Sequence, residues 1–216
     1  MSEATAPRHL PDRLGSRTKD IVYSWETLLL LVLLAVFTIN SFASPYFLDP
    51  WNLSDATFNF TEKALIALAM ALLIISGEID LSVAAIVALA STAMGYIASI
   101  GGGTGAMVLA GILTGLACGA FNGLLVTRFK LPSIVVTIGT MSLFRGMSFI
   151  VLGDGVFKGY PADFAFFGQG YVWWVFSFEF VFFLCAAAIY AVLLHKTNFG
   201  RLVYAIGNNE TAALFS

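Results

Sequence analysis

The sequence predicts an all-α membrane protein, a polytopic transmembrane helical bundle of about six spans, one of them short or discontinuous. Three observations predict it. Apolar residues make up 59% of the 216-residue chain and charged residues only 11%, and the mean hydropathy is +0.88, a balance that suits lipid as solvent. The apolar residues fall in separate long blocks, each a candidate crossing of a hydrocarbon core. Lysine and arginine collect in the segments that six crossings from an inner N-terminus would leave inside.

The organisation read from these blocks is a cytoplasmic tail over residues 1–20, a membrane domain over 21–194 and a cytoplasmic segment over 195–216. The tail carries Arg8, Arg13, Arg17 and Lys19 and is too polar and too long for the start of a secretory signal. The first span covers 21–42, with Tyr23 and Trp25 at its inner end and Glu26 within reach of water. Residues 43–63, with Pro45, Asp49, Pro50, Asn52 and Asp55, have the turn-rich composition of a loop outside the hydrocarbon. The sequons at Asn52 and Asn59 would matter only in a secretory compartment.

The second block, 64–76, makes a helix of about 20 Å, short of a hydrocarbon core of roughly 30 Å. It is halted at Gly77-Glu78-Ile79-Asp80. A third block follows over 81–100, a glycine turn over 101–105, a fourth block over 106–126, a basic loop with Arg128 and Lys130, and a fifth block over 133–152. A polar loop over 153–170 leads to the sixth span within 171–194, and His195, Lys196 and Arg201 follow it. Both ends are therefore expected on the cytoplasmic side.

Carboxylates flanked by apolar runs are costly in lipid and occur where they face water, a partner or a pathway. Two readings of Glu78 and Asp80 stay open. In one they lie in a cytoplasmic turn, with Asp80 or Ser82 capping the next helix. In the other they belong to a translocation path or to a contact with another subunit. Gly111, Gly115, Gly119 and Gly123 share one stripe of the fourth span, which points to close helix packing, with Asn122 beside it as an interhelical hydrogen bonder and path lining as the alternative. Arg145 sits mid-span and needs a carboxylate, carbonyls or a water-filled cavity; Glu179 is one candidate partner. Tyr171, Trp173 and Trp174 form an external aromatic belt or, alternatively, a surface for sugar stacking.

Several chemistries are excluded. No nucleophile or ligand cluster accompanies the carboxylates, so no catalytic site, metal site or cofactor is expected. Cys118 and Cys185 are isolated packing residues, and His9 and His195 are isolated in solvated segments. The run Gly101 to Gly105 lacks the Lys-Ser/Thr of a phosphate loop, and with a net charge of −2 no basic surface invites nucleic acid.

The run Ser76-Gly77-Glu78-Ile79-Asp80-Leu81-Ser82-Val83 resembles a hallmark of the ribose-type permeases of the ABC importer superfamily. The same holds for Phe121-Asn122-Gly123-Leu124-Leu125-Val126, for Leu131-Pro132-Ser133-Ile134-Val135-Val136-Thr137-Ile138-Gly139-Thr140-Met141 with Arg145-Gly146, and for the segment from Thr197 to Ala213. The wording around Glu78 and around 168–174 is most similar to permeases assigned to rhamnose uptake. The resemblance implies a monosaccharide importer subunit in membrane lipid. Its partners would be a cytoplasmic ABC ATPase, a periplasmic sugar-binding protein and a second permease subunit. It also implies an ATPase-coupling segment with Gly200, Arg201, Gly207, Asn208, Asn209, Glu210, Ala212 and Ala213, whose plain alternative is a cytoplasmic linker. Ala84 departs from a common glycine, Leu214 stands where arginine is common, and the chain stops at Ser216 before the later helices the family has, so a C-terminally truncated fragment is expected.

Overall fold

The computed structural model describes residues 24–209 and Ala213. Five of its helices are long and apolar enough to cross a membrane, and a sixth apolar helix is shorter, which makes this a polytopic helical membrane protein. The chain divides into two compact units, residues 1–53 and 54–216. The tail over residues 1–20, with its four basic residues and His9, lies outside the described residues.

In the first unit, α1 (Trp25–Ala43) starts at Ser24, whose hydroxyl accepts the Thr27 N–H at 3.3 Å. Its polar side chains answer their own helix: Thr38, Asn40 and Ser41 donate to the carbonyls of Leu34, Val36 and Phe37 at 2.7, 2.8 and 2.7 Å. Each of these groups thereby satisfies at least one donor within its own helix. Phe47, in the following turn, packs edge-on against Phe37.

The next helix departs from the sequence expectation. α2 (Pro50–Ile75) is 26 residues long, so most of the expected loop over 43–63 is helical. The second span is therefore not short: at 1.5 Å per residue it reaches about 39 Å. Asp49 accepts the Trp51 N–H at 2.8 Å and Pro50 takes the first helical position, where its missing N–H costs nothing. From there no glycine or proline interrupts the helix before Gly77. The short span is instead α3 (Val83–Ser99), at 17 residues about 25 Å.

The polar first half of α2 has structural work at its own end of the second unit. A short hairpin, β1 (Tyr171–Trp173) with β2 (Phe176–Ser177), lies against it. Ser54 donates to the Val175 carbonyl, Thr57 and Ser177 hydroxyls lie 3.2 Å apart, and Tyr171 donates to Asp55 at 3.4 Å. Trp174 makes the hairpin's turn at a positive φ of 47°. The aromatic residues expected at the start of the sixth span thus belong to this hairpin. The span itself is α7 (Phe178–Lys196), capped by Ser177, with His195 and Lys196 in its last turn. Before the hairpin, a turn of 3-10 helix (Ala162–Phe164) and α6 (Ala165–Gln169) occupy the segment expected to be a loop.

α3 is the centre of the second unit, packing against α4 (Thr104–Phe129) and α5 (Ser133–Leu152). Ala85, Leu89, Cys118 and Phe144 form its buried cluster, with Phe121 edge-on to Phe144. Small side chains on α3 let the neighbouring helices approach, which is where helix association in lipid gains its van der Waals contact. A final helix, α8 (Asn198–Asn208), folds back from the end of α7.

Candidate functional site

The acidic break is an ordered turn. Gly77, at φ +85°, ends α2 in a left-handed residue: its N–H reaches the Ile74 carbonyl at 3.1 Å and the Glu78 N–H reaches Leu73 at 2.8 Å. This paired closure satisfies two carbonyls at the helix end and turns the chain back. Asp80 Oδ1 then accepts both the N–H and the hydroxyl of Ser82, at 2.7 and 2.6 Å. The turn is therefore held by the carboxylate two residues ahead of its donor partner, an Asx-turn. Ser82 precedes α3, but its own hydroxyl caps no N–H there.

Neighbouring helices clasp the turn. Because the Ser82 proton goes to Asp80, its oxygen is free to accept, and Asn122 Nδ2 of α4 donates to it at 2.8 Å. The order Asn122 to Ser82 to Asp80 fixes the orientation of the Asn122 amide. From α5, Ser133 accepts the Ile79 N–H at 3.3 Å, and Thr137, itself bonded to the Ser133 carbonyl at 2.8 Å, lies 3.4 Å from the Ile79 carbonyl. Glu78 and Asp80 are half-buried, whereas Asn122 and Thr137 are buried.

Around this clasp is a cavity of about 350 Å³. Glu78, Asp80, Asn122, Ser133 and Thr137 supply its polar wall, and Leu73 and Val126 its apolar one. Gly119 and Gly123 also line it. The glycine stripe is thus divided. A Cβ on Gly111 would meet Met94 Sδ at 2.8 Å, the close approach expected, but one on Gly115, Gly119 or Gly123 would meet nothing within 4 Å.

Other expected residues fall elsewhere. Arg145 is exposed on α5 and does not line the cavity. Among the described residues no ion pair joins it to Glu179, whose carboxylate lies instead near Gly168. In the segment expected to couple to an ATPase, Thr197 caps α8 by accepting the Gly200 N–H at 3.3 Å. Gly200 is buried so tightly that a Cβ would overlap the Leu194 backbone, 2.6 Å from its Cα. Arg201 donates to the Asn198 side chain. At the other end of α8, a Cβ on Gly207 would overlap the Ile75 carbonyl at the end of α2, 2.9 Å from its carbon. Asn208 closes α8, Asn209 donates to the Ala205 carbonyl at 3.0 Å and Ala213 to Asn209 at 3.0 Å, while Glu210 and Ala212 lie outside the described residues. Sequence reasoning missed the Gly207 contact and the cavity itself, because neither leaves a local pattern.

Three segments distant in sequence, around Glu78, Asn122 and Ser133, meet at this one place, and they carry the resemblance noted in the sequence. The model of the family described as branched-chain amino acid transport system / permease component matches residues 52–216. The chain belongs to that family. Its members are transport permeases, not enzymes. The chain is 36% identical over 188 residues to the ribose import permease protein RbsC of Bacillus subtilis, covering 86% of this chain and 58% of that protein. It is 32% identical to the L-arabinose ABC transporter permease protein AraH of Azospirillum brasilense, over 100% of this chain and 66% of that one. It is also 32% identical to the autoinducer 2 import system permease protein LsrC of Yersinia enterocolitica, over 85% and 51%. These relatives support the resemblance to ribose-type permeases. The chain spans roughly half to two thirds of their length. No solved structure matches it.

Proposed function

We propose that this chain is part of the transmembrane permease subunit of an ABC importer, moving a monosaccharide inward across a bacterial cytoplasmic membrane. The observation that carries the proposal is the convergence of the Glu78 turn, Asn122 and Ser133 on one cavity between spans, in a chain similar to ribose, arabinose and autoinducer 2 permeases. Both termini of the chain are on the cytoplasmic side, a reading supported by the distribution of lysine and arginine. Residues 1–20 are the cytoplasmic tail, 21–194 the membrane part and 195–216 the start of a coupling region. A separate ATPase hydrolyses ATP, a periplasmic protein delivers the sugar, and a second permease subunit completes the pathway. Rhamnose is the cargo favoured by the wording around Glu78 and 168–174.

The contact of α8 with the end of α2 supports the coupling role of Gly200, Arg201, Gly207, Asn208 and Asn209, since a load applied to α8 meets the membrane helices at Ile75. The test is uptake of labelled rhamnose, ribose and arabinose by proteoliposomes holding the full-length permease, its ATPase and its binding protein. Uptake that needs hydrolysable ATP is expected. Uptake driven by an ion gradient with no ATPase would instead identify a secondary transporter, and none with all partners present would leave a membrane scaffold.

A further inference from the structure

The polar lining of the cavity keeps uncommitted hydrogen-bonding groups. Thr137 has given its proton to the Ser133 carbonyl, Thr127 has given its own to Gly123, and Ser82 has given its own to Asp80. The Asn122 amide N–H is directed at Ser82. The Ser133 hydroxyl, which accepts from the Ile79 N–H, and the second Asn122 N–H remain as donors; the uncommitted acceptors are the Asn122 Oδ1, in a side chain only 6% exposed, with no hydrogen-bond partner among the described residues, and the Glu78 carboxylate. A buried acceptor without a donor is rare in folded proteins, and marks a place where another molecule donates.

The rest of the lining has a different chemistry. Leu73 and Val126 are apolar, and Gly119 and Gly123 present bare backbone with open space where a side chain would project. A metal cation needs oxygens converging from several directions. Here Gly119, Gly123 and Val126 share a face of α4 with Asn122, so the lining mixes oxygens with hydrocarbon. A molecule that carries both hydroxyls and apolar C–H surface fits this mixed lining, and about 350 Å³ is within the range of small-molecule sites.

We infer that this cavity is a monosaccharide subsite at the end of the bundle where α8 rests on α2, with Asn122 Oδ1 and Glu78 accepting from sugar hydroxyls. The inference rests on the transport reading above and adds a saturable site within the permease itself. Its position next to Ile75 and Gly207 puts a bound sugar beside the coupling contact.

The full-length permease–ATPase complex in nanodiscs, without the binding protein, is titrated calorimetrically with whichever of ribose, arabinose and rhamnose it transports, and separately with sodium chloride. Saturable sugar binding is expected, weakened about tenfold or more by Gly123→Leu, which fills the cavity, and by Glu78→Ala, which removes one of the two acceptors and no hydrogen bond of the turn. If Gly123→Leu does not assemble with the ATPase, Glu78→Ala decides. Sugar transport without saturable binding, binding unchanged in the variants, or the same saturable heat from sodium chloride alone would each overturn the subsite and leave the transport reading standing. A complex that neither transports nor binds these sugars overturns both.

Discussion

Gly207, at the end of α8, lies so close to the Ile75 carbonyl at the end of α2 that no Cβ fits between them. Two residues later in α2's chain comes Gly77, whose left-handed conformation starts the turn that carries Glu78 and Asp80. A displacement of α8 toward α2 would therefore meet backbone, with no flexible side chain between Gly207 and Ile75.

Gly207→Ala is expected to push α8 from α2, because the atom that must yield is a carbonyl and not a side-chain tip. Overpacking of this kind costs about 1–3 kcal/mol. ATP-dependent uptake by the full-length protein should fall about tenfold, with copurification of the ATPase weakened once Asn208 and Asn209 are replaced as well. Unchanged copurification and uptake in the triple variant would argue that α8 is a plain linker.

The Asn122–Ser82–Asp80 chain makes an ordered prediction about stability. Ser82→Ala strands the buried Asn122 amide and removes one of two donors to Asp80, whereas Asn122→Leu leaves the Ser82–Asp80 bonds in place and removes an orphan acceptor. Leaving a buried polar group unpaired is worse than removing it. Thermal unfolding in detergent should show Ser82→Ala as the more destabilised variant, by about 1 kcal/mol, with a coupling of about 0.5–1.7 kcal/mol in the double-mutant cycle. The reverse order would show that the chain does not form.

What was legible in the sequence follows from period and punctuation. Long apolar blocks mark helices, and Gly77 and Gly101 mark their ends, because both adopt positive φ that few other residues tolerate. The length of α2 was hidden because Ser54, Asp55 and Thr57 read as loop residues, and their true partners are more than a hundred positions away in the hairpin. The glycine stripe was legible as a stripe, but not which neighbour each glycine faces: Gly111 meets Met94, and Gly119 and Gly123 face a cavity. Glu78 and Asp80 stood out by charge; the clasp from Ser133 and Thr137 did not, since hydroxyls are common in spans and carry no such signal.

Asp80 separates geometry from charge. Its Oδ1 organises the turn by accepting twice from Ser82, and an asparagine side chain offers the same oxygen. Asp80→Asn should hold the turn and keep uptake near the level of the unmodified protein. Asp80→Ala should lose about 0.5–2 kcal/mol of stability and most uptake. If Asp80→Asn abolishes uptake while melting normally, the carboxylate's charge serves the pathway and not the turn.

The division of the glycine stripe predicts unequal effects along one helix. A side chain at Gly111 must displace Met94, whose flexible thioether can yield only part of the way, while Gly115 opens onto space within its own unit. Gly111→Val should therefore destabilise the α3–α4 contact by about 1–3 kcal/mol. Gly115→Val should cost less, limited to the helix preference of a β-branched residue. Unfolding of the two variants in detergent gives the comparison directly, and equal losses would mean that a surface outside the described residues covers Gly115.

The hairpin offers the sharpest test of why α2 is long. Ser54 is almost fully buried and donates to the Val175 carbonyl, and Thr57 meets Ser177, which in turn caps α7. Ser54→Ala removes the donor and leaves that carbonyl without it, a loss of about 1–3 kcal/mol for a buried group. The damage should be local. Hydrogen exchange should rise over residues 171–177 and the first turn of α7, while the turn at 77–82, which shares no bond with the hairpin, keeps its protection. Increased exchange at both ends of α2 would mean instead that the hairpin holds the whole helix in place, and that α2 transmits strain along its full length.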